Sequence, residues 1–503
     1  MSLLMERPLR RRSEDRRDTA DLTSGWLAHH TGNGWLGLAV IGSAIAAGIG
    51  LGLRPIYGLA AAAAIVVGLV VLARPAAGGY ILVGVVPIVS GLKRGFPVPG
   101  VRLAEALIAS IGLVILLTAS HRQTVKWRVA DWLLLTWATL WCGVGGFDVV
   151  VLHQHLDTRT VEQLAGPFQF VLLYRAVVTA LPLKTQRQRG LGLFLLASVP
   201  VSLLAIAQQF HVAAIQRTIA RATGGDVFNT YSYHYFARAT GPFPHWTPLA
   251  GYLFIVLVTG FALLLEGEGP LHRRQLVLVL TLAAAGLVLT AELSAMGGTV
   301  ISLLVLGAWY GRLGRAVRWL LVGSIGMLAT FSAYLKGRFR TQFGTNVGST
   351  RKSWVPQSLD YRWQVWTRQY IPVIKQRPLT GWGPRFPLTI SWPFTESQYI
   401  TLLMDGGVVV LIAYVAMMIA LYIHAIGVAR MDGEQDTDRH ALARALAVII
   451  VVLMAMNTIF PYFTAGGLPE PFWVVAALVM GALRPGRAWD HIPGRRLVTA
   501  SPS

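Results

Sequence analysis

Residues 246–265 read WTPLAGYLFIVLVTGFALLL, twenty positions without a charged side chain. A helix needs roughly 20 apolar residues to cross the hydrocarbon core of a bilayer. A run of that length, opened by a tryptophan suited to the interface, predicts a transmembrane helix. Comparable runs, some shorter, begin near Trp35, Tyr57, Gly79, Leu103, Ala130, Phe168, Leu191, Gln275, Ala295, Arg318, Gln398, His440 and Gly467. The run from Gly79 is short and holds Pro87, which suits a re-entrant segment as well as a span. The expected fold is an all-α polytopic membrane protein with roughly 12–14 transmembrane helices.

Composition points the same way. The 503 residues are 54% hydrophobic and 13% charged, with mean hydropathy +0.55. A soluble domain carries about 25% charged residues, so a water-exposed globule of this size is excluded. Disorder is excluded as well, because it requires low hydrophobicity. Forty-four Lys and Arg face 23 acids, a net charge of +21. In a soluble chain that excess would suggest nucleic acid; here the charges punctuate apolar runs, and no nucleic-acid partner is expected. Cys142 is the only cysteine, which leaves no internal disulfide and no Cys-based metal cluster. The start, MSLLMERPLRRRSEDRR, has no apolar core behind it until about residue 35, so no cleavable signal peptide is expected.

The cations orient the chain. With the N-terminus inside and the spans alternating, Arg10, Arg74, Arg128, Lys184, Arg273, Arg312, Arg315, Arg430, Arg444 and Arg484 fall in cytoplasmic segments, among many others. The short outer loops hold few: Arg54, Lys93, Arg94, Arg102 and Arg159. The expected layout is a basic cytoplasmic tail over 1–34, spans over 35–335 with an outer loop near 212–245, a large outer loop over 336–397, spans over 398–484, and a cytoplasmic tail over 485–503. The second outer loop carries ten cations against Asp360 and Glu396. The positive-inside rule is weak for loops this long, which leaves solvated surface as one reading; an anion site is the sharper and preferred one.

Several residues in and near these loops can carry chemistry. Residues 238–248, RATGPFPHWTP, form a Gly/Pro turn that sets Arg238 and His245 at the outer membrane surface. A headgroup arginine beside an interfacial Trp would look the same. Asp360 can cap a helix on which Trp363, Trp366 and Tyr370 form one stripe and Arg362 and Arg368 point elsewhere. That helix ends before Pro378, and Gly381-Trp382-Gly383 follows as a turn. Glu396, where the loop re-enters the membrane, can act as a general base, orient an acceptor hydroxyl, or simply pair with an arginine. Arg175 and Glu292 lie within apolar runs, where a charge costs at least ~2.5–3.5 kcal/mol and is a functional candidate; Arg175 can equally snorkel.

The order of these motifs resembles the O-antigen ligase and polymerase superfamily, bacterial membrane glycosyltransferases acting on polyprenyl-diphosphate-linked glycans. The detailed resemblance covers about 238–420. Arg238 matches the arginine of an Arg-x-x-Gly-x-Phe turn, and Arg362 the arginine four residues before Trp366. Pro378, Leu379, Gly381 and Gly383 match a Pro-Leu-x-Gly-x-Gly element, while Tyr399 and Ile400 match a Tyr-Leu pair. The family's His-Asn before that tyrosine is replaced by Glu396-Ser397. Its Ser-Arg pair after a threonine is absent at Thr290, where Ala291-Glu292-Leu293-Ser294 follow.

The resemblance implies a GT-C-like fold with a large periplasmic loop over a lipid-accessible cavity, in the bacterial inner membrane with both termini cytoplasmic. It implies an inverting, metal-independent glycosyltransferase that needs no cofactor. Its expected partners are a polyprenyl-diphosphate-linked glycan donor, a glycan or lipid acceptor, and membrane lipids. Glu396, Arg238 and Arg362 are the expected catalytic residues, with Arg175, Arg368, Arg385, His245 and Tyr399 on the diphosphate or glycan. The missing histidine tilts the expectation toward a polysaccharide polymerase rather than a ligase. A transporter or flippase of lipid-linked glycans, or a catalytically inactive scaffold relative, are the competing readings.

Overall fold

The computed structural model describes residues 65–96, 101–119, 127–210, 212–224, 238–267, 269–343, 356–392, 394–431, 437–464 and 467–481. The two expected tails and the run from Trp35 lie outside the described residues. Two compact units divide the chain, residues 1–73 and residues 74–503. In the first, the described residues 65–73 are helical; the rest of the description concerns the second.

Its helices are α1 Pro75–Gly84, α2 Val86–Val89, α3 Leu103–Ala119, α4 Val129–Val151, α5 Thr158–Ala180, α6 Lys184–Gln208, α7 Ala213–Thr223, α8 Trp246–Glu266, α9 Arg273–Thr290, α10 Leu293–Trp309 and α11 Leu313–Phe343. After these come α12 Gln357–Val365, a π-turn Trp366–Tyr370, α13 Ile371–Ile374, α14 Gln398–Ala429, α15 Thr437–Met456 and α16 Pro469–Met480. No strand occurs among the described residues. Seven of the helices are long and apolar enough to cross a membrane, so the protein is an all-α, multi-pass membrane protein.

The apolar runs set where most helices lie, and local chemistry sets their ends. Helix α8, the run 246–265, is almost wholly enclosed by its neighbours, with nearly every residue from Thr247 to Leu265 buried. Gly267, at φ 91°, closes it by donating its N–H to the Leu263 carbonyl, the usual left-handed glycine stop. Pro87 splits the short run from Gly79 into α1 and α2, because proline has no N–H to continue the ladder. Helix α5 begins at Thr158, well before the apolar run expected from Phe168. Asp157 caps it, accepting from the Thr160 N–H at 2.8 Å. Helix α11 leaves Leu321, Val322, Ile325 and Leu328 more than half exposed, an apolar strip of the kind that lipid chains cover.

Helix α12 starts at Gln357 behind Pro356, so Asp360 falls in its first turn rather than at its cap. The expected single aromatic stripe is also broken. Pro372 cannot donate to the chain before it, and the helix widens to a π-turn in which the Ile371 N–H reaches the Trp366 carbonyl. Tyr370 is thereby fully buried while Trp363 stays 62% exposed. Tyr370, Val365, Val373 and Met404 form one core with Trp366 and Trp382 packed on it, which docks the 357–374 segment on α14.

Helix α14 is kinked at Gly407, whose φ of 65° and ψ of −164° are not helical. The turn 378–382 fills the break: Val408 N donates to the Pro378 carbonyl at 2.9 Å, and Trp382 N to the Met404 carbonyl at 2.6 Å. A Cβ on Gly407 would lie 2.2 Å from the Leu379 carbonyl oxygen, and one on Gly381 would lie 2.5 Å from that of Met404. Gly407→Ala therefore meets a backbone atom in a conformation only glycine holds, at a cost of at least ~1–3 kcal/mol. The variant is expected to melt well below wild type in detergent. Gly427→Ala, with nothing within 4 Å of its Cβ, serves as the control and leaves the melting temperature near wild type.

Candidate functional site

A cavity of about 2240 Å³ opens at one end of the bundle, where α4 ends and where α5, α8, α10, α14 and α16 begin. Its walls include Arg238, His245, Glu292, Arg338, Arg362 and Glu396. The turn that bears Arg238 is tied to α6 and α9. Gln208 Oε1 accepts the N–H groups of Thr240 and Gly241 at 2.9 and 2.8 Å, and Ala239 N donates to the Leu289 carbonyl.

Helix α9 ends on Ala291, at φ 50°, a left-handed residue that turns the last carbonyls outward. Arg238 takes them. Its Nε donates to the Thr290 carbonyl at 2.7 Å, and its Nη2 to the Ala291 carbonyl at 3.0 Å and the Glu292 carboxylate at 2.7 Å. The guanidinium also lies 4.0 Å over the Trp246 ring. Arg338 donates to the same Ala291 carbonyl at 3.1 Å. Ser294 Oγ donates to the other Glu292 oxygen at 2.7 Å and shares a hydrogen bond with Tyr462 at 3.1 Å.

These contacts set the charge states. Burial pushes the Arg238 pKa down to about 10, with Glu292 opposing it, so it stays a cation at neutral pH. Burial raises the Glu292 carboxyl, but Arg238 and the Ser294 hydroxyl outweigh it and hold that acid below the ordinary carboxylate range. His245 accepts the Thr247 N–H at 3.3 Å and stacks on Phe460. Burial, with Arg238 beside it, pushes its imidazole down to about 3, and the ring is neutral.

Glu396 stands on the facing wall. Arg362 Nε and Nη2 both lie 3.1 Å from its Oε2. Burial raises its pKa, Arg362 lowers it less, and Glu292 raises it further. Its φ of 54° is left-handed for a non-glycine residue, a strain that persists only where the surroundings over-determine it. Here they do. Trp366 Nε1 donates to the Thr395 carbonyl at 2.7 Å, Ser397 Oγ to the Asn457 carbonyl at 3.3 Å, and Gln398 N to the same carbonyl at 2.8 Å.

Four of the expected site residues, Arg238, His245, Arg362 and Glu396, share this cavity, and Arg385 lines it at the rim, where it meets Asp157 at 2.5 Å. The other three lie elsewhere. Arg175 reaches Asp131 at 2.8 Å within the bundle, where Tyr174 donates to the other oxygen of that carboxylate at 2.6 Å. Arg368 is exposed on the π-turn. Tyr399 donates to the Met454 carbonyl at 2.6 Å and joins α14 to α15. Arg338, Ser294 and Tyr462 were not singled out in the sequence. Arg338 sat unmarked within the cationic run, and nothing local distinguishes the two hydroxyls. Among the described residues, no three His, Cys, Asp or Glu side chains converge as a metal site would need.

The architecture defines a class: a multi-pass, all-α membrane protein with a charged cavity at one end of its bundle. Residues 277–415, from α9 into α14, match the sequence model of the family described as O-antigen ligase. The match supports a membrane glycan-processing function of ligase or polymerase type. No curated protein matches the sequence.

The Arg238–Glu292 pair is 7% and 15% exposed, and breaking a buried pair from one side costs ~3–5 kcal/mol. Arg238→Ala should lower the detergent melting temperature more than Glu292→Ala combined with Arg238→Ala does. Additive losses in that cycle would show the pair to be uncoupled.

Proposed function

We propose that the chain is an inverting glycosyltransferase that moves a glycan from a polyprenyl-diphosphate donor to an acceptor hydroxyl at the outer face of the inner membrane. The observation that carries this reading is one constellation: Arg238, Arg338 and Arg362 around Glu292 and Glu396, each acting electrostatically on another. It lies within or beside the segment that matches the family.

A diphosphate leaving group needs fixed cations, and the planar guanidinium suits phosphate oxygens. Arg338 and Arg362 neutralise the diphosphate as the bond between its oxygen and the anomeric carbon breaks. The acceptor oxygen attacks that carbon from the opposite face and bonds to it, its proton passes to Glu396, and polyprenyl diphosphate departs with the electron pair. Arg238 is a positioning residue, since its Nε and Nη2 hold the 290–292 turn and Glu292. No metal enters this scheme. The carboxylate in place of the family's histidine favours a polymerase, in which the acceptor is itself a lipid-linked glycan.

Glu396→Gln in nanodiscs is expected to slow release of polyprenyl diphosphate by ~10²–10⁴-fold, with EDTA leaving the wild-type rate unchanged. A full wild-type rate in that variant would remove Glu396 from the chemistry. The base form of Glu396 is the carboxylate, and burial raises its pKa. Transfer therefore falls as the pH drops through a value above the ordinary ~4.3. Arg362→Gln removes the charge that lowers this pKa, so the acid limb moves to higher pH, as a rate profile between about pH 5 and 8 would record.

A further inference from the structure

The cavity has a second charged wall. Arg94 Nη2 lies 2.8 Å from Glu105 and its Nη1 lies 2.6 Å from Glu162, with Arg102 beside Glu105 at 3.8 Å. Glu470, at the start of α16, lines the same cavity, and Arg102 and Glu105 are the charges that act on it. Arg159, three residues before Glu162 on α5, lines the cavity as well, so three cations here meet three acids. On the Arg238 wall, three cations meet two. A diphosphate is drawn to the second arrangement, which has the excess of cations, rather than to the balanced first.

Two buried polar atoms in this part of the cavity lack a partner among the described residues. Glu470 is 4% exposed and Trp137 2%, yet Glu470 Oε2 and Trp137 Nε1 make no hydrogen bond. A buried polar group without a partner costs about 1–3 kcal/mol, and such groups mark where a ligand or water completes the bonding. An aromatic chain runs from Trp137 to Phe472, two residues beyond Glu470. Trp141, Trp137, Tyr414, Phe463 and Phe472 follow one another with ring centroids 5.9, 6.0, 5.6 and 5.0 Å apart, and Trp141, Trp137 and Phe463 face the cavity. One indole N–H donor, one carboxylate acceptor and flat apolar rings match a sugar ring, which has hydroxyls at its edge and C–H groups on its face.

We infer that this wall is a subsite for the acceptor sugar, with the Glu470 carboxylate accepting a sugar hydroxyl, the Trp137 indole donating to a sugar oxygen, and Trp141 and Phe463 beside the ring. The Glu470 oxygen without a partner specifies the class, since it would repel an anionic group of the ligand: a neutral or amino sugar, not a uronic acid or a phosphorylated sugar. The inference rests on the glycan-transfer reading above and adds where the acceptor lies.

The test uses the full chain in nanodiscs and saturation-transfer NMR with three probes: cellotetraose, the tetramer of glucosamine and tetragalacturonate. The first two should bind and the third should not. Glu470→Gln and Trp137→Phe should each weaken binding at least tenfold with the melting temperature unchanged. Binding of tetragalacturonate as tight as that of the neutral probe, no binding of either expected probe, or variants with unchanged affinity would overturn the subsite. If a variant fails to fold, the panel on wild type still decides the charge preference. The same preparations are assayed for release of polyprenyl diphosphate. Glycan binding without release would sink the transfer reading and leave a sugar site; release with an acceptor KM indifferent to Glu470→Gln would sink the subsite and leave the transfer.

Discussion

The break in α14 at Gly407 holds the cavity together. A helix that loses its ladder inside a membrane must find other partners for the freed backbone groups, because lipid supplies none. Here the partner is the turn 378–382, whose carbonyls accept from Val408 and whose Trp382 N–H reaches Met404. The close approach requires glycine on both sides, at Gly381 and Gly407. Arg377 adds a side-chain tie to α4 by donating to Asp148 at 2.6 Å. Once this turn is seated, the 357–374 segment lies on α14 through Tyr370 and Met404, and Arg362 comes to Glu396.

Much of this was legible in the sequence because the bilayer imposes a length and a polarity on each helix. Every apolar run from Gly79 onward coincides with a described helix. Where polarity is mixed, the reading loses its footing. The start of α5 is a polar segment capped by Asp157, invisible to a hydropathy count, and the π-turn at 366–370 answers to a single proline. The site shows the same division. Glu396 was legible as one of the two acids of its loop, and Arg362 through the tryptophan four residues after it. Arg175, in an apolar run, and Arg238, in a Gly/Pro turn, are both candidates in sequence, and their partners separate them. Asp131 binds one inside the bundle, while Glu292 and the end of α9 bind the other at the cavity. Partners 44 and 54 residues away carry no local signal.

The two glutamates of the cavity show how environment divides like groups. Glu292 has a guanidinium on one oxygen and a serine hydroxyl on the other, and it is held ionised. Glu396 has Arg362 on one oxygen and a hydrogen bond with Trp392, but burial outweighs both and its affinity for a proton rises. The charge on Glu292 contributes to that rise. Arg238 therefore acts on Glu396 without touching it: by fixing Glu292 as a carboxylate, it keeps a negative neighbour near the group that is to take the acceptor's proton. An arginine spent on backbone carbonyls and a neighbouring acid thus still bears on the chemistry, and its burial against Trp246 protects that arrangement from water. The turn at Ala291 ties this to the fold, since its left-handed φ presents the carbonyls that keep Arg238 in place.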